Sequence, residues 1–507
     1  MKNLETETIV KTILDNFKEY TSKPDTNSVS IDPSNGNLYT LAVQAYIYAF
    51  PWLYLSQLQW LWTTKPGAVQ QFKESGFAIY APLNNFWLAP GLASSDNSTG
   101  GSPNADTIYS LAWCDLSQEP IVISVPEITD RYYCIELTGI DSDTYGYVGT
   151  RETGSTAGNY LLAGPNWHGD IASFNEGKDI SEQIQDILPR AFYNSILLMG
   201  RTGLTTGTDE DIQISLDIQE NYRLTTLSDW ISGENNSTSP KAPIPVGTTY
   251  NDTLGAWYTI NKMMTQYPPG VHPSIAQDQL VNLFAQIEIG PNQDISTQSP
   301  ENLLVLQQAA KDALLILKVS SGNANKVVNG WGYPPVYIGK AGQYGDYLAR
   351  SSFQALAGIT AHWTIEAVYL NTKVDCNGQS LSGGINYTME FTEDSFPPFE
   401  SNFHGFWSIT LYNFNYEIIA NSEAYTINSN FTQYQARNKE EGMTILLQQD
   451  QPENWPEDNE DGIYWLQTPM ADQDGNDGFY MVLRVYIPAP SVATTQTWEP
   501  PSVTPSD

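Results

Sequence analysis

The sequence predicts a mixed α+β fold, mainly β, with two antiparallel β-sandwich (jelly-roll-like) domains joined by a helical middle region. Three observations carry that prediction. Short apolar or aromatic runs, each bounded by Gly, Pro, Asp or Asn, follow one another between Ala78 and Pro165. Helical periodicity then dominates residues 253–369. Strand-and-turn text returns from Asp375 onward. With 507 residues, 41% hydrophobic and 12% aromatic, the chain can bury sizeable cores.

In chain order, Ile9, Val10, Ile13, Leu14 and Phe17 recur at the spacing of an amphipathic helix. Asp25–Gly36 is a polar linker. Leu38–Trp62 carries no charge and is long enough to cross a bilayer. Pro51 interrupts it, glutamines dot it and no basic flank orients it, so it reads as two buried helical pieces broken at Pro51. The strand runs are "TIYSLAWCDL", "PIVISVPEI", "RYYCIELTGI", "YGYVGTRETG" and "NYLLAGPNW". Helical text resumes over Ile180–Leu198 and Asp209–Asn221, and Gly233–Pro245 is a linker. Helices are expected over Thr253–Gln266, Ser274–Ile289, Pro300–Val319 and Gln343–Tyr369. "GFWSITLYNF" and "GFYMVLRVYIP" are strands, and the Pro/Thr-rich tail is expected to be extended or disordered. The expected division is 1–37 helix and linker, 38–232 first domain, 233–372 linker and helical connection, 373–490 second sandwich and 491–507 tail.

Charge narrows the function. A net charge of −34, from 57 acidic against 23 basic residues, repels phosphate backbones and anionic lipid, so no nucleic-acid partner is expected. No membrane span is expected either, and the charge itself keeps an aromatic-rich chain in solution. Residues 1–23 lack the continuous apolar core of a signal peptide, which makes the cytoplasm the default compartment. Cys114, Cys134 and Cys376 form no CxxC pair, and Cys114 and Cys134, in strand-like text, read as buried, inert thiols. There is no GxGxxG, Walker loop, HExxH or GxSxG, so no cofactor is expected and no metal site is assigned.

Four histidines are too few for a clustered metal centre. His168 and His404, each beside an aromatic residue and a glycine, are candidate general bases if a carboxylate positions them. The acidic runs "DSDT" (Asp141, Asp143) and "DQDGNDG" (Asp472 to Asp477) miss EF-hand spacing and read as solvated hairpin loops. Arg131, Arg151, Arg201, Arg350 and Arg484 stand in compact motifs. Such arginines more commonly brace buried carboxylates than fork an anionic ligand.

Taken together, "SPNADTIYSLAWCDLSQEPIVISVPEITDRYYCIELTGIDSDTYGYVGT", "GRTGLTTGTDEDIQISLDIQENYRLTTLSDW", "NGWGYPP", "VDCNGQSLSGGINYTMEFTEDSFPPFESNFHGFWSITLYNF" and "FYMVLRVYIP" resemble a paired family of domains of unknown function. These are numbered twelve fifty-four at the N-terminal side and twelve fourteen at the C-terminal side. The resemblance spans roughly residues 38–490 and implies sandwich-rich domains joined by helices, often exported, with no agreed reaction. Where the family pattern has Gln and Asp-x-Tyr-Thr-Asn, this chain has Glu136, Gly139 and Asp143-Thr144.

Two functions follow as expectations. One is an enzyme acting on a small polar, carbonyl- or carboxylate-containing molecule between the first sandwich and the helical middle. In it Asp106 is the acid/base, Tyr109 and Tyr133 donate hydrogen bonds, Arg151 holds an anion and Asn104 positions the substrate. Arg131, Tyr145 and Trp407 complete the candidate ligand-binding set. The other is a non-catalytic carbohydrate-binding or envelope-associated protein, whose aromatic faces stack on sugars. A small-molecule or sugar ligand is the expected partner, and a homo-oligomer stays open.

Overall fold

The computed structural model describes residues 33–63, 79–96, 101–245, 253–269, 277–322, 324–414, 416–419, 424–431, 442–453, 462–471 and 475–506. The expected amphipathic helix around Ile9–Phe17, and Asp472 and Asp474 of the acidic loop, lie outside the described residues.

The first domain holds β1 (Trp87–Leu88), β2 (Thr107–Asp115), β3 (Ile121–Val125), β4 (Tyr133–Gly139), β5 (Thr144–Gly149), β6 (Gly158–Leu162), β7 (Asp186–Ile187), β8 (Ser195–Gly203) and β9 (Arg223–Thr226). They form a five-stranded sheet, β1-β2-β8-β4-β5, and a four-stranded sheet, β7-β6-β3-β9, antiparallel except for β6 and β7. The five-stranded sheet is covered on both sides, so its inner strands β4 and β8 are buried end to end. Ala112, Cys114, Ile135, Ile196 and Leu198 point into the sandwich. Their neighbours Leu111, Trp113, Leu197 and Met199 point the other way, into a helical layer.

That layer contains α1 (Pro33–Thr63), α3 (Thr253–Gln266), α4 (Gln277–Phe284) and α5 (Pro300–Ser320), while α2 (Asp209–Gln219) lies against β2 and β8. Helix α1 is apolar almost all round, with Tyr39, Ala42, Tyr46, Phe50 and Trp52 all buried, as expected of a helix enclosed by others. Tyr39 donates to Asp312 at 2.7 Å and the Trp52 indole to the Tyr267 carbonyl at 2.9 Å. Contrary to the expected break, α1 runs unbroken through Pro51. A proline removes the N–H that would bond the carbonyl four residues back. Here that carbonyl, Ile47 O, accepts from the Ser351 hydroxyl at 2.5 Å, and the next one, Tyr48 O, accepts from Arg350. The defect is satisfied by tertiary partners, so the helix continues.

The second domain holds β10 (Lys326–Val328), β11 (Trp331–Tyr333), β12 (Ala367–Thr372), β13 (Tyr387–Phe391), β14 (Phe406–Asn413), β15 (Thr426–Asn428), β16 (Met443–Gln448), β17 (Ile463–Gln467), β18 (Phe479–Tyr486) and β19 (Thr504–Pro505). Its sheets run β10-β11-β12-β18-β14-β15 and β17-β16-β13-β19, antiparallel except for β16 and β17. Leu483, Val485, Ile409 and Leu411 fill the core between them.

Three expectations are corrected. Ile180–Leu198 is not helical; it contains a single 3-10 turn, β7 and the start of β8. Gln343–Tyr369 forms a short helix and a π-helix over Arg350–Ala357, then enters β12, because Ala367, Val368 and Leu370 find a strand partner in β18. The tail does not trail away. Trp498 and Val503 are buried in the second core and β19 pairs with β13. Its prolines leave few donors but many acceptors, and Trp331, Tyr333 and Asn329 donate to the carbonyls of Pro501, Trp498 and Pro500. Among the described residues, no helix is long and apolar enough to cross a membrane.

Candidate functional site

The outer face of β14 and β18 packs on the outer face of the first domain's five-stranded sheet. Alternation sends Phe406, Ser408, Tyr412, Arg484 and Tyr486 toward that joint. Phe406 stacks on Tyr486 with centroids 4.4 Å apart, and Tyr132, Cys134 and Tyr147 meet them from the first domain. The result is a buried layer that mixes aromatic, acidic and basic side chains.

One end is built on the entry to β2. Asn104 Oδ1 accepts from the backbone N–H groups of Asp106 and Thr107, both at 3.1 Å, and its own N–H donates to the Tyr109 hydroxyl at 3.2 Å. This turn delivers Asp106 into the layer, where Ser408 donates to Oδ2 at 2.6 Å and Asn428 to Oδ1 at 3.4 Å. Burial raises the Asp106 pKa, with Arg484 and the two hydrogen bonds opposing. Arg484 donates instead to the Tyr412 hydroxyl at 2.7 Å and the Ser102 carbonyl at 2.8 Å.

The other end gathers Glu136, Arg201, His362, Glu366 and Arg151. Arg201, over the Tyr109 ring at 5.7 Å, donates to Glu136 Oε2 at 3.1 Å. Thr144 donates to Glu136 Oε1 at 2.7 Å. Arg151 Nε donates to Glu366 Oε2 at 2.6 Å and Tyr132 to its Oε1 at 2.8 Å. The Arg151 Nη1 group pairs with Glu152 at 2.7 Å, and Nη2 is buried without a hydrogen-bond partner. Burial raises Glu366 against the pull of Arg151. Burial and then the two guanidiniums hold His362 well below its usual range, so the imidazole is neutral.

Beside this end lies a cleft of about 490 Å³. Tyr145, Tyr147, Tyr160 and Glu152 line it from the first domain, facing Lys340 and Trp363 of the connecting region. Gly339 makes the approach possible: with φ of +88°, it sits where a Cβ would come within 2.4 Å of the Trp363 nitrogen. Lys340 Nζ then rests 3.6 Å from the Trp363 ring centroid, and burial lowers its pKa. The Tyr145 hydroxyl is buried without a hydrogen-bond partner.

The remaining candidates lie apart. Arg131 bonds Asp130, Asp211 and Ser215, bracing the start of α2. Tyr133 is in the first core and donates to the Gly154 carbonyl at 2.9 Å. Trp407 is in the second core, stacked on Phe391 with centroids 5.4 Å apart. His168 is exposed beside Arg190, and His404 occupies a left-handed turn at φ 55°. Asp141 and Asp143 are not a solvated loop: both are buried, within the field of a fully buried Arg350. Among the described residues, no group of three or more His, Cys, Asp or Glu side chains could hold a metal ion.

Comparison with known proteins agrees with this architecture. Residues 83–226 match the model of a protein of unknown function (DUF1254), and residues 366–490 match that of a second (DUF1214). The chain belongs to this paired family. No curated protein matches it. The crystal structure of the VPA0106 protein from Vibrio parahaemolyticus is similar, with a TM-score of 0.65 and 20% identity over 93% of this chain and 100% of that one. At that identity the likeness shows the fold alone. A putative uncharacterized protein from Burkholderia cenocepacia aligns at 12% identity over 99% of this chain and 96% of that one, but with a TM-score of only 0.39. In this DUF1254/DUF1214 chain, Glu136, Asp106 and Arg151 belong to the first matched segment, and Glu366 and Arg484 to the second. The buried layer is therefore where the two matched domains meet.

Sequence reasoning missed His362, Glu366, Lys340 and Trp363. Each lies more than 150 residues from its partners in the first domain. A charged Lys340 between the glycine of "YIGK" and an aromatic-rich segment was the one local signal.

Proposed function

We propose that this protein binds a small ring-bearing carboxylic acid in the cleft between the first sandwich and the connecting region. The observation that carries this reading is Lys340. Its ammonium is half-buried against Trp363, forms no ion pair within 4 Å among the described residues, and lines the same cleft as three tyrosines. The volume suits such a ligand, since small-molecule sites usually enclose about 300–1,000 Å³. A carboxylate would take the Lys340 charge, and the ring would lie against Tyr147 or Trp363. Arg151 fixes Glu152 at the rim, while Asn104, Asp106 and Tyr109 hold the joint on which the cleft is built.

The aromatic lining also favours a sugar, and one titration separates the two. Benzoate, glucuronate and glucose are compared by thermal shift on the full chain, because a ligand of the native state raises apparent stability. Shifts with benzoate and glucuronate but not glucose, lost in Lys340→Met, are expected. An equal shift with glucose would transfer the assignment to neutral sugars. No shift with any of the three would sink the acid-binding reading.

A further inference from the structure

Behind the cleft wall, three side chains from distant segments converge in an order that has chemical meaning. Cys134 Sγ lies 3.8 Å from His362 Nε2, and His362 Nδ1 lies 3.3 Å from Glu136 Oε2. Arg201 and Thr144 donate to the same carboxylate, so Glu136 accepts on every side. The Tyr147 hydroxyl meets the same nitrogen at 3.4 Å. In the tautomer with its hydrogen on Nδ1, the Nε2 lone pair faces the thiol, and thiol, base and carboxylate stand in the order that nucleophilic catalysis uses.

Cys114 provides the contrast. It is equally buried, but in the apolar core of the first sandwich among Ile123, Ile135 and Ile196. Burial raises both thiols. Only Cys134 has a base beside it. Tyr147 separates the group from the cleft: it lines the cleft, and its hydroxyl is 3.4 Å from His362 Nδ1.

We propose that Cys134 is a nucleophile, activated by His362 and oriented by Glu136, for a small acyl compound (an ester or thioester) that reaches it past Tyr147. The Cys134 proton passes to His362 Nε2 as sulfur forms a bond to the acyl carbon. The carbonyl π pair moves to oxygen, returns, and expels the alkoxide or thiolate, which takes the proton from His362. Cys134 is left acylated; His362 then takes a proton from water as its oxygen bonds to the acyl carbon, the C–S bond breaks, and the Cys134 sulfur takes that proton back from His362 as the acid leaves. Burial opposes a free thiolate or a free imidazolium, but in this transfer the two charges arise side by side, next to Glu136. The proposal does not depend on acid binding at Lys340, and its test uses no carboxylate ligand.

The experiment is native alkylation of the full chain by iodoacetamide, with each cysteine peptide followed by mass spectrometry. Exposed Cys376 reports ordinary thiol reactivity and Cys114 reports a buried thiol without a base. Cys134 is expected to react at least about tenfold faster than Cys114. The excess should disappear in His362→Gln and grow in Tyr147→Ala, which opens the wall. Cys114 should stay as slow in both variants as in the wild type, which checks that they are folded, and Cys376 should be unchanged, which checks the reagent. p-Nitrophenyl acetate should acetylate Cys134 in the wild type and not in His362→Gln. Equal rates for Cys134 and Cys114 in the wild type overturn the proposal without reference to any variant. An excess that persists in His362→Gln overturns it too.

Discussion

The two ends of the buried layer use the same materials and arrive at different electrostatics. Around Asp106, a carboxyl meets a hydroxyl and an amide, and the nearby arginine donates elsewhere. Around Glu136 and Glu366, each carboxylate takes a guanidinium directly. Both oxygens of Asp106 are bonded, whereas the second end leaves Arg151 Nη2 and Arg201 Nε without partners and borders a cleft. A carboxyl that is sealed and hydrogen-bonded holds domains together. Unmet donors, a thiol and an imidazole beside an opening are where a ligand has something to do.

The strongest way to break the comparison is Glu136→Ala. It strands the buried Arg201 guanidinium and frees Thr144, and should lower stability by about 3–5 kcal/mol in urea denaturation. A loss under about 1 kcal/mol would show that this end is no more tightly braced than the Asp106 end. Next is Ser408→Ala, which removes the short bond to Asp106 and should cost about 1–3 kcal/mol. That loss should be smaller in acid, where the carboxyl is protonated and makes less demand on a donor.

The pH profile sharpens the difference. Asp106 has a raised pKa in the folded chain, so its contribution is present in acid and declines as pH rises through the raised value. Asp106→Asn should flatten that decline. Asp143 behaves likewise and is better placed to see: burial, then its neighbour Asp141, push it up to about 7 from 3.8. Its share of stability should fall between about pH 4 and pH 7, and Asp143→Asn should remove that fall. A wild-type curve flat across this range would contradict the buried assignment. The smallest effect on stability is expected from Lys340→Met, within about 1 kcal/mol, because the ammonium has no ion pair to lose and only its contact with the Trp363 ring goes.

Much of the fold was legible because period-2 alternation is local. "TIYSLAWCD", "FWSITLYN" and "FYMVLRVY" became β2, β14 and β18, and Thr253–Gln266 became α3. What failed was decided by distant partners. Ile180–Leu198 had helical spacing, but its last residues pair with β2 and β4. The proline-rich tail found donors on Asn329, Trp331 and Tyr333. At the site, Asp106, Tyr109 and Arg151 were visible as motif residues. Arg151 reaches Glu366 across 215 positions, and Cys134 reaches His362 across 228. No spacing rule spans such a gap.

Pro51 has a consequence for the order in which the chain becomes native. The carbonyl it leaves open, Ile47 O, is closed by a residue 304 positions further along, and the next carbonyl takes a donor 302 positions along. Until the Arg350–Ala357 segment has been synthesised and docked, α1 is a helix with a gap in its ladder and an apolar surface on nearly every side. Its maturation is thereby tied to a contact of very long sequence separation, the slow kind in folding kinetics. The segment that completes α1 also carries the chain on to His362 and Glu366. The first long helix of the described residues and the last pieces of the buried layer are therefore completed by one stretch of chain.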